Sequence, residues 1–179
     1  MSDSGQKWTN FHLNKAESNY PIWPIESMVK VLFGDYLSNV KPEFNNKTKV
    51  LDVGCGFGNN LMPFLIKGCE CYGVEISDDI CKLTQNIIYE RGFKNAQIAT
   101  GHNRSLPFRE NKFDLLLSNS VLHYESNKKN FYDALKEYYR VLKPGGGLFL
   151  ITTGPKHDLY KKAKPLGSNK FEIQNYDFR

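Results

Sequence analysis

The sequence predicts an α/β fold, a three-layer sandwich around a mostly parallel sheet. Three observations carry this. Between residues 49 and 152, short apolar runs alternate with stretches of helical periodicity across brief turns, and such alternation builds parallel sheets through right-handed crossovers. The run from Phe113 to Leu117 is apolar after Asp114, as in a strand buried on both faces. Finally, Val50-Leu51-Asp52-Val53-Gly54-Cys55-Gly56-Phe57-Gly58 reads as strand, tight turn and helix start, the kind of sheet edge where open α/β folds take ligands.

The elements follow in order. Residues 1–19 are polar and weakly periodic, but Trp8, Phe11 and Leu13 are costly to leave wet, so this stretch is expected to fold back on the domain. Tyr20-Pro21-Ile22-Trp23-Pro24 is rigid and aromatic. It precedes a helical pattern at Ile25, Met28, Val29, Leu32, Phe33 and Tyr36. Residues 1–46 thus form an N-terminal segment and helix, closed by a turn-rich linker over 41–47. The core, 47–153, starts with a strand at about 49–53. The glycine turn leads into a helix carrying Leu61, Phe64 and Leu65, and Pro63 requires that helix to begin near Asn59 or Asn60.

Strand two ends at Glu75, and Ser77-Asp78-Asp79 supplies a cap and first-turn acids for the next helix. Ile80, Leu83, Thr84, Ile87 and Ile88 recur at helical spacing until Gly92 stops the run. Ala96 to Thr100 is the third strand and Phe113 to Leu117 the fourth, which exits at Ser118-Asn119-Ser120. A helix with Phe131, Ala134, Leu135, Tyr138, Val141 and Leu142 on one face stops at Lys143-Pro144-Gly145-Gly146-Gly147. Strand five runs from Leu148 to Thr152. Residues 154–179 are a basic, turn-rich tail that either binds an acidic substrate or is a plain surface loop.

The glycine turn narrows the ligand. A phosphate-cradling loop needs a Lys-Ser/Thr pair after its last glycine, and Asn59-Asn60 is not one. A dinucleotide fingerprint needs G-x-G-x-x-G, whereas this turn alternates Gly54, Gly56 and Gly58. Glu75 follows Gly58 by about 17 residues, near the ~20-residue offset at which a carboxylate ending the second strand holds ribose hydroxyls. The ligand is therefore expected to be a nucleoside.

Four stretches in order resemble class I S-adenosylmethionine-dependent methyltransferases of the small methyltransferase-domain type: the Val50–Gly58 turn; Gly73-Val74-Glu75-Ile76-Ser77; Leu106-Pro107-Phe108 with Phe113 to Leu117 and Leu122-His123; and Tyr139-Arg140-Val141-Leu142-Lys143-Pro144-Gly145-Gly146. The resemblance spans residues 50–152 and implies a Rossmann-like sheet of order 3-2-1-4-5. It also implies S-adenosyl-L-methionine as cofactor, with S-adenosyl-L-homocysteine as product. Carried onto this chain, it assigns the methionine end to Asp52, Gly54, Cys55, Gly56 and Gly58, with Asn60 at the helix start beside them. The ribose falls to Glu75, the adenine to Ile76, His102 and Asn103, and the sulfonium surroundings to Ser118 and Asn119. Tyr20 and Trp23 are either a lid over the cofactor or a hydrophobic plug, with Tyr124 on the acceptor side. His123 is the candidate general base, or else packs under the cofactor.

Two departures stand out. His102 occupies a position where the family commonly has an acid that accepts the adenine amine; a neutral imidazole still has one accepting nitrogen, and Asn103 offers an amide oxygen and an N–H. The family's C-terminal antiparallel strand pair is absent, so strand five is expected to be an uncovered edge. The chain is then a fragment, or the tail or a second copy covers that edge as a homo-oligomer.

Composition bounds the rest. Cys55, Cys69, Cys71 and Cys81 form no C-x-x-C couple with companion histidines, so reduced thiols and no metal are expected. A net charge of +5 is modest and scattered, which favours a solvated basic surface. The strand-four exit lacks the proline-rich order of amino-methylating DNA enzymes, which argues against nucleic acid. No run is long and apolar enough for a membrane, and a cytoplasmic location is the default. The expected activity is methyl transfer to a small molecule, with an RNA or protein methyltransferase, or a non-catalytic cofactor-binding module, as alternatives.

Overall fold

Apolar side chains alternate across the central strands, so both faces of the sheet demand cover. The computed structural model, which describes residues 3–17, 23–35, 42–154, 164–167 and 170–172, supplies it with helices on each side. The strands β1 (Lys49–Val53), β2 (Glu70–Glu75), β3 (Ala96–Thr100), β4 (Phe113–Asn119) and β5 (Leu142–Ile151) form one parallel sheet of order β3-β2-β1-β4-β5. The α/β class and the 3-2-1-4-5 order read from the sequence are those of the molecule.

One face carries Val50, Cys71, Ala96, Leu115 and Leu117 against α2 (Glu26–Phe33), α3 (Met62–Ile66) and α4 (Asp78–Glu90) through Met28, Leu32, Phe64, Leu65 and Ile88. The other carries Leu51, Val53, Tyr72, Val74, Phe113 and Leu116 against Ala134, Tyr138 and Val141 of α5 (Lys128–Val141). Asp114, the polar residue of β4, accepts from the Lys49 backbone N–H at 2.8 Å and from Lys143 Nζ at 2.6 Å, and so ties the starts of three strands together. The four cysteines are buried free thiols.

Several boundaries differ from the sequence reading. Residues 3–17 form a helix, α1 (Asp3–Glu17), although their pattern is polar; Thr9 is buried and donates its hydroxyl to Ser77 Oγ at 3.0 Å, which docks α1 on the core. The turn after Gly58 enters α3 through a 3-10 segment, Asn59–Leu61, with Pro63 in the first turn of the α-helix. Strand five begins at Leu142 rather than Leu148. Phe113 pairs with Leu142 and Leu115 with Gly147, so Lys143 to Gly146 loop out as a bulge, not as a helix stop outside the sheet. A short antiparallel pair follows, β6 (Lys164–Gly167) and β7 (Lys170–Glu172), but it forms a sheet of its own, and among the described residues β5 is the edge of the five-stranded sheet, as expected. Leu148 and Leu150 on that edge are exposed.

Ser77 has two tasks. Its Oγ accepts from Ile80 N–H at 3.3 Å as the cap of α4, and from Thr9 of α1. Ser77→Ala should therefore remove a cap worth about 0.5–2 kcal/mol together with the docking bond from Thr9, worth about 0.5–1.5 kcal/mol. Denaturant unfolding should show it less stable than Thr9→Val, which gives up the docking bond but keeps the cap.

Candidate functional site

The carboxyl ends of β1, β2, β3 and β4 surround a cavity of about 270 Å³, with His12 of α1 on its remaining side. Gly54, Gly56 and Gly58 all have positive φ, of 70°, 52° and 76°, a region where a side chain is strained. The turn they make folds onto the end of β2, with Gly54 N–H donating to Val74 O at 2.8 Å, Cys55 N–H to the same oxygen at 3.2 Å, and Gly58 N–H to Cys55 O at 2.8 Å. Gly56 N–H donates to Glu75 Oε1 at 2.8 Å, and Ile76 N–H to Glu75 Oε2 at 3.0 Å. The N–H groups of all three glycines and of Cys55 are thus taken up inside the protein. A phosphate cradle would leave such groups facing outward, so these four are not available to an anion.

The charge in the cavity points the same way. Glu75 and Glu125 line it, and no lysine or arginine is among its described lining residues. Next in the chain to Val53 of the lining, Asp52 is fully buried and neither of its carboxylate oxygens makes a hydrogen bond of full geometry. Burial first, and the charge of Glu75 second, push its carboxyl well above the usual carboxylate range, with the Asn60 amide opposing. An unpaired buried carboxylate is costly unless a cation or donor reaches it. Cys55 is likewise pushed up, by burial and then by Glu75 and Asp52; its thiol is inert and packs where a Cβ on Gly73 would come within 2.6 Å of Cys55 Sγ.

Of the residues chosen from the sequence, Gly54, Glu75, Ile76, His102, Asn103, Asn119 and Tyr124 line the cavity. Asp52, Cys55, Gly56 and Gly58 belong to the strand end and turn around Val53 and Gly54 but do not themselves border the cavity. The Asn60 amide stands beside Asp52 and opposes its raised pKa, while its Oδ1 accepts from Ile25 N–H at 3.1 Å and so fastens the start of α2. Ser118 is buried within β4, 3.1 Å from Tyr138 OH, and does not reach the cavity. Tyr138 OH in turn donates to Asn103 Oδ1 at 3.0 Å. His123 sits in a 3-10 turn, Leu122–Tyr124, its ring 4.2 Å from that of Tyr124, and is not a lining residue. Trp23 is 79% exposed, which is not the burial of a plug, and it does not border the cavity. Tyr20 lies outside the described residues.

Among the lining residues that sequence reasoning did not choose are His12, Val121 and Glu125. His12 packs edge-on against Phe57 at 5.0 Å, and a methyl group on Gly56 would stand 3.2 Å from its Nε2. The only available signal was its place beside Phe11 in a segment with costly apolar groups. A wider depression along α5, between Tyr132 and Tyr139, is lined by that helix alone and does not border the sheet edge.

The sequence profile of the family described as "Methyltransferase domain" matches residues 51–150. A demethylmenaquinone methyltransferase of Anoxybacillus flavithermus is 35% identical over 109 residues, 59% of this chain and 45% of its own. The crystal structure of the YcgJ protein of Bacillus subtilis superposes with a TM-score of 0.53 at 28% identity, covering 59% of this chain and 45% of that one. The [4+2]-cyclase SpnF superposes with a TM-score of 0.61 over 81% of this chain and 57% of its own; at 22% identity this speaks for the fold alone. The chain spans less than half the length of the curated relatives it matches. With the matched profile, the sheet order and the glycine turn in agreement, the chain belongs to the methyltransferase-domain family of the class I S-adenosylmethionine-dependent type.

Proposed function

We propose that the cavity binds S-adenosyl-L-methionine and that the protein transfers its methyl group to a small organic molecule, releasing S-adenosyl-L-homocysteine. The observation that carries this reading is the acid-lined, lysine-free cavity beside a buried Asp52 that has no cationic partner, only the neutral Asn60 amide near it. A ligand with a cationic amino-acid end suits such a site; a pyrophosphate does not. When bound, the cofactor supplies an already electrophilic sulfonium methyl, so the protein's tasks are proximity, alignment and exclusion of water. Asp52 would face the ammonium of the methionine end across the glycine turn. Glu75, each oxygen of which takes one backbone N–H, retains lone pairs for the two ribose hydroxyls. His123, outside the lining and tilted against Tyr124, which borders the cavity, would pack behind that wall rather than take the acceptor's proton. The demethylmenaquinone named for one relative supports a small organic acceptor rather than a macromolecule. The exposed edge of β5 is where a second copy would add.

The test is calorimetric titration of the 179-residue chain with S-adenosylmethionine, S-adenosylhomocysteine and NAD. Binding of the first two and not the third is expected; a folded protein that binds NAD, or none of the three, overturns the reading. Glu75→Ala should weaken S-adenosylhomocysteine binding by about 1–3 kcal/mol, the cost of losing a charged hydrogen-bond partner, and unchanged affinity would remove Glu75 from the ribose.

A further inference from the structure

We infer that Glu125 is the residue that recognises the exocyclic amine of the cofactor's adenine, in place of the acid that His102 has displaced. The inference rests on the cofactor reading above and concerns the end of the cavity beyond Glu75. There Gly101 N–H donates to Glu75 O at 2.9 Å, which sets the segment from Gly101 to Asn103 directly after the ribose-binding carboxylate. An amine at this end needs an acceptor, and the two residues that the sequence offered are already engaged within the protein. His102 Nδ1 already accepts the Arg104 backbone N–H at 3.3 Å, so a neutral ring carries its proton on Nε2 and has no nitrogen left to accept with. Asn103 is held at both ends, its Oδ1 accepting from Tyr138 OH at 3.0 Å and its Nδ2 donating to Glu125 Oε1 at 3.2 Å, and the lone pair left on Oδ1 is a weaker acceptor than a carboxylate oxygen.

Glu125 retains the capacity. Its side chain is only 5% exposed although Tyr124 and Ser126 on either side of it are exposed, and it lines the cavity. Oε1 takes the Asn103 amide and Oε2 the Arg104 guanidinium, whose Nε lies at 3.2 Å. A carboxylate has about four acceptor sites, so these two donors leave room for an amine. Anchoring Arg104 alone does not account for the burial, because Arg104 is 41% exposed and could be paired at the surface. Asn103 therefore acts as a positioning residue, held by Tyr138 and holding Glu125.

The test compares S-adenosylhomocysteine with its 6-oxo analogue, S-inosylhomocysteine, by calorimetry. An amine-accepting carboxylate rejects the 6-oxo ring, and the wild-type chain should prefer the adenine ligand by about 100-fold or more. Glu125→Gln should narrow that ratio at least about tenfold, because its amide can donate to the 6-oxo group, whereas Arg104→Ala should leave the ratio within about threefold of wild type. Should Glu125→Gln fail to fold, Glu125→Asp, which keeps the charge but shortens the reach, should also narrow the ratio. A Glu125 variant that weakens both ligands equally, or neither, makes the residue purely structural and overturns the inference. A folded wild-type chain that binds neither ligand overturns the cofactor reading and this inference with it.

Discussion

Replacing Asp52 with asparagine is expected to make the protein more stable and a worse binder at once. The carboxylate is buried without a hydrogen bond of full geometry, and its folded-state pKa lies above the unfolded value. The sign follows directly. A carboxyl with a raised folded pKa favours folding only while protonated, so its penalty is small at low pH. It grows as pH rises from the unfolded pKa of about 3.9 towards the folded one and stays at its full size above that. Asparagine removes the penalty. At pH 8 the gain should be about 2 kcal/mol or more, a rise in Tm of roughly 4–8 °C for a chain of this size. Near pH 4 the gain should nearly vanish. Calorimetric scans at several pH values measure it, and a variant less stable than wild type at pH 8 would show that Asp52 has a partner in solution. S-adenosylhomocysteine affinity should fall by about 10- to 100-fold, the loss of one charge-assisted contact.

Gly54→Ala is expected to damage the fold and the cavity together. A side chain at φ +70° costs about 1–2 kcal/mol, and the new methyl would stand 2.5 Å from Val121 Cγ2 and 3.3 Å from Cγ1. A valine methyl cannot swing away as a lysine end can, so overpacking adds about 1–3 kcal/mol. Together these should lower Tm by roughly 5–15 °C and weaken ligand binding more than tenfold, since Gly54 and Val121 both line the cavity. Adding Val121→Ala should return the overpacking share and leave the backbone share. If the double variant recovers nothing, the clash is not where the geometry places it.

The parts of this molecule that the sequence disclosed are those whose causes are local. The glycine turn, the Ser77 cap, Gly92 as the end of α4 and the limits of β1 to β3 each depend on residues within a few positions of one another. What it hid depends on meetings across the chain. A helix over residues 3–17 has little apolar periodicity to announce it, because it docks through Thr9 onto a serine 68 positions away. Ser118 appeared to be a site residue from its place at the strand exit, yet the continuation of β4 to Asn119, paired with β5, keeps it inside. Glu125 carries no signal of its own in the sequence, because what marks it is Asn103 and Arg104, 22 and 21 residues earlier, which hold it. Leu142 fits the apolar face of α5 as well as the start of β5, and pairing with Phe113 decides for the strand.

The way α1 is fastened bears on how the cavity comes into being. Its walls come from residues near positions 12, 54, 75, 102 and 121–125, and no two neighbouring groups of that series are adjacent in the chain. Each loop between them costs closure entropy, and none is rewarded until the strands that carry the wall residues are side by side. A nascent or clipped chain therefore has no partial version of the site with proportionally weaker affinity. Binding appears as a single event late in assembly, after the sheet has formed and the first helix has returned to Ser77.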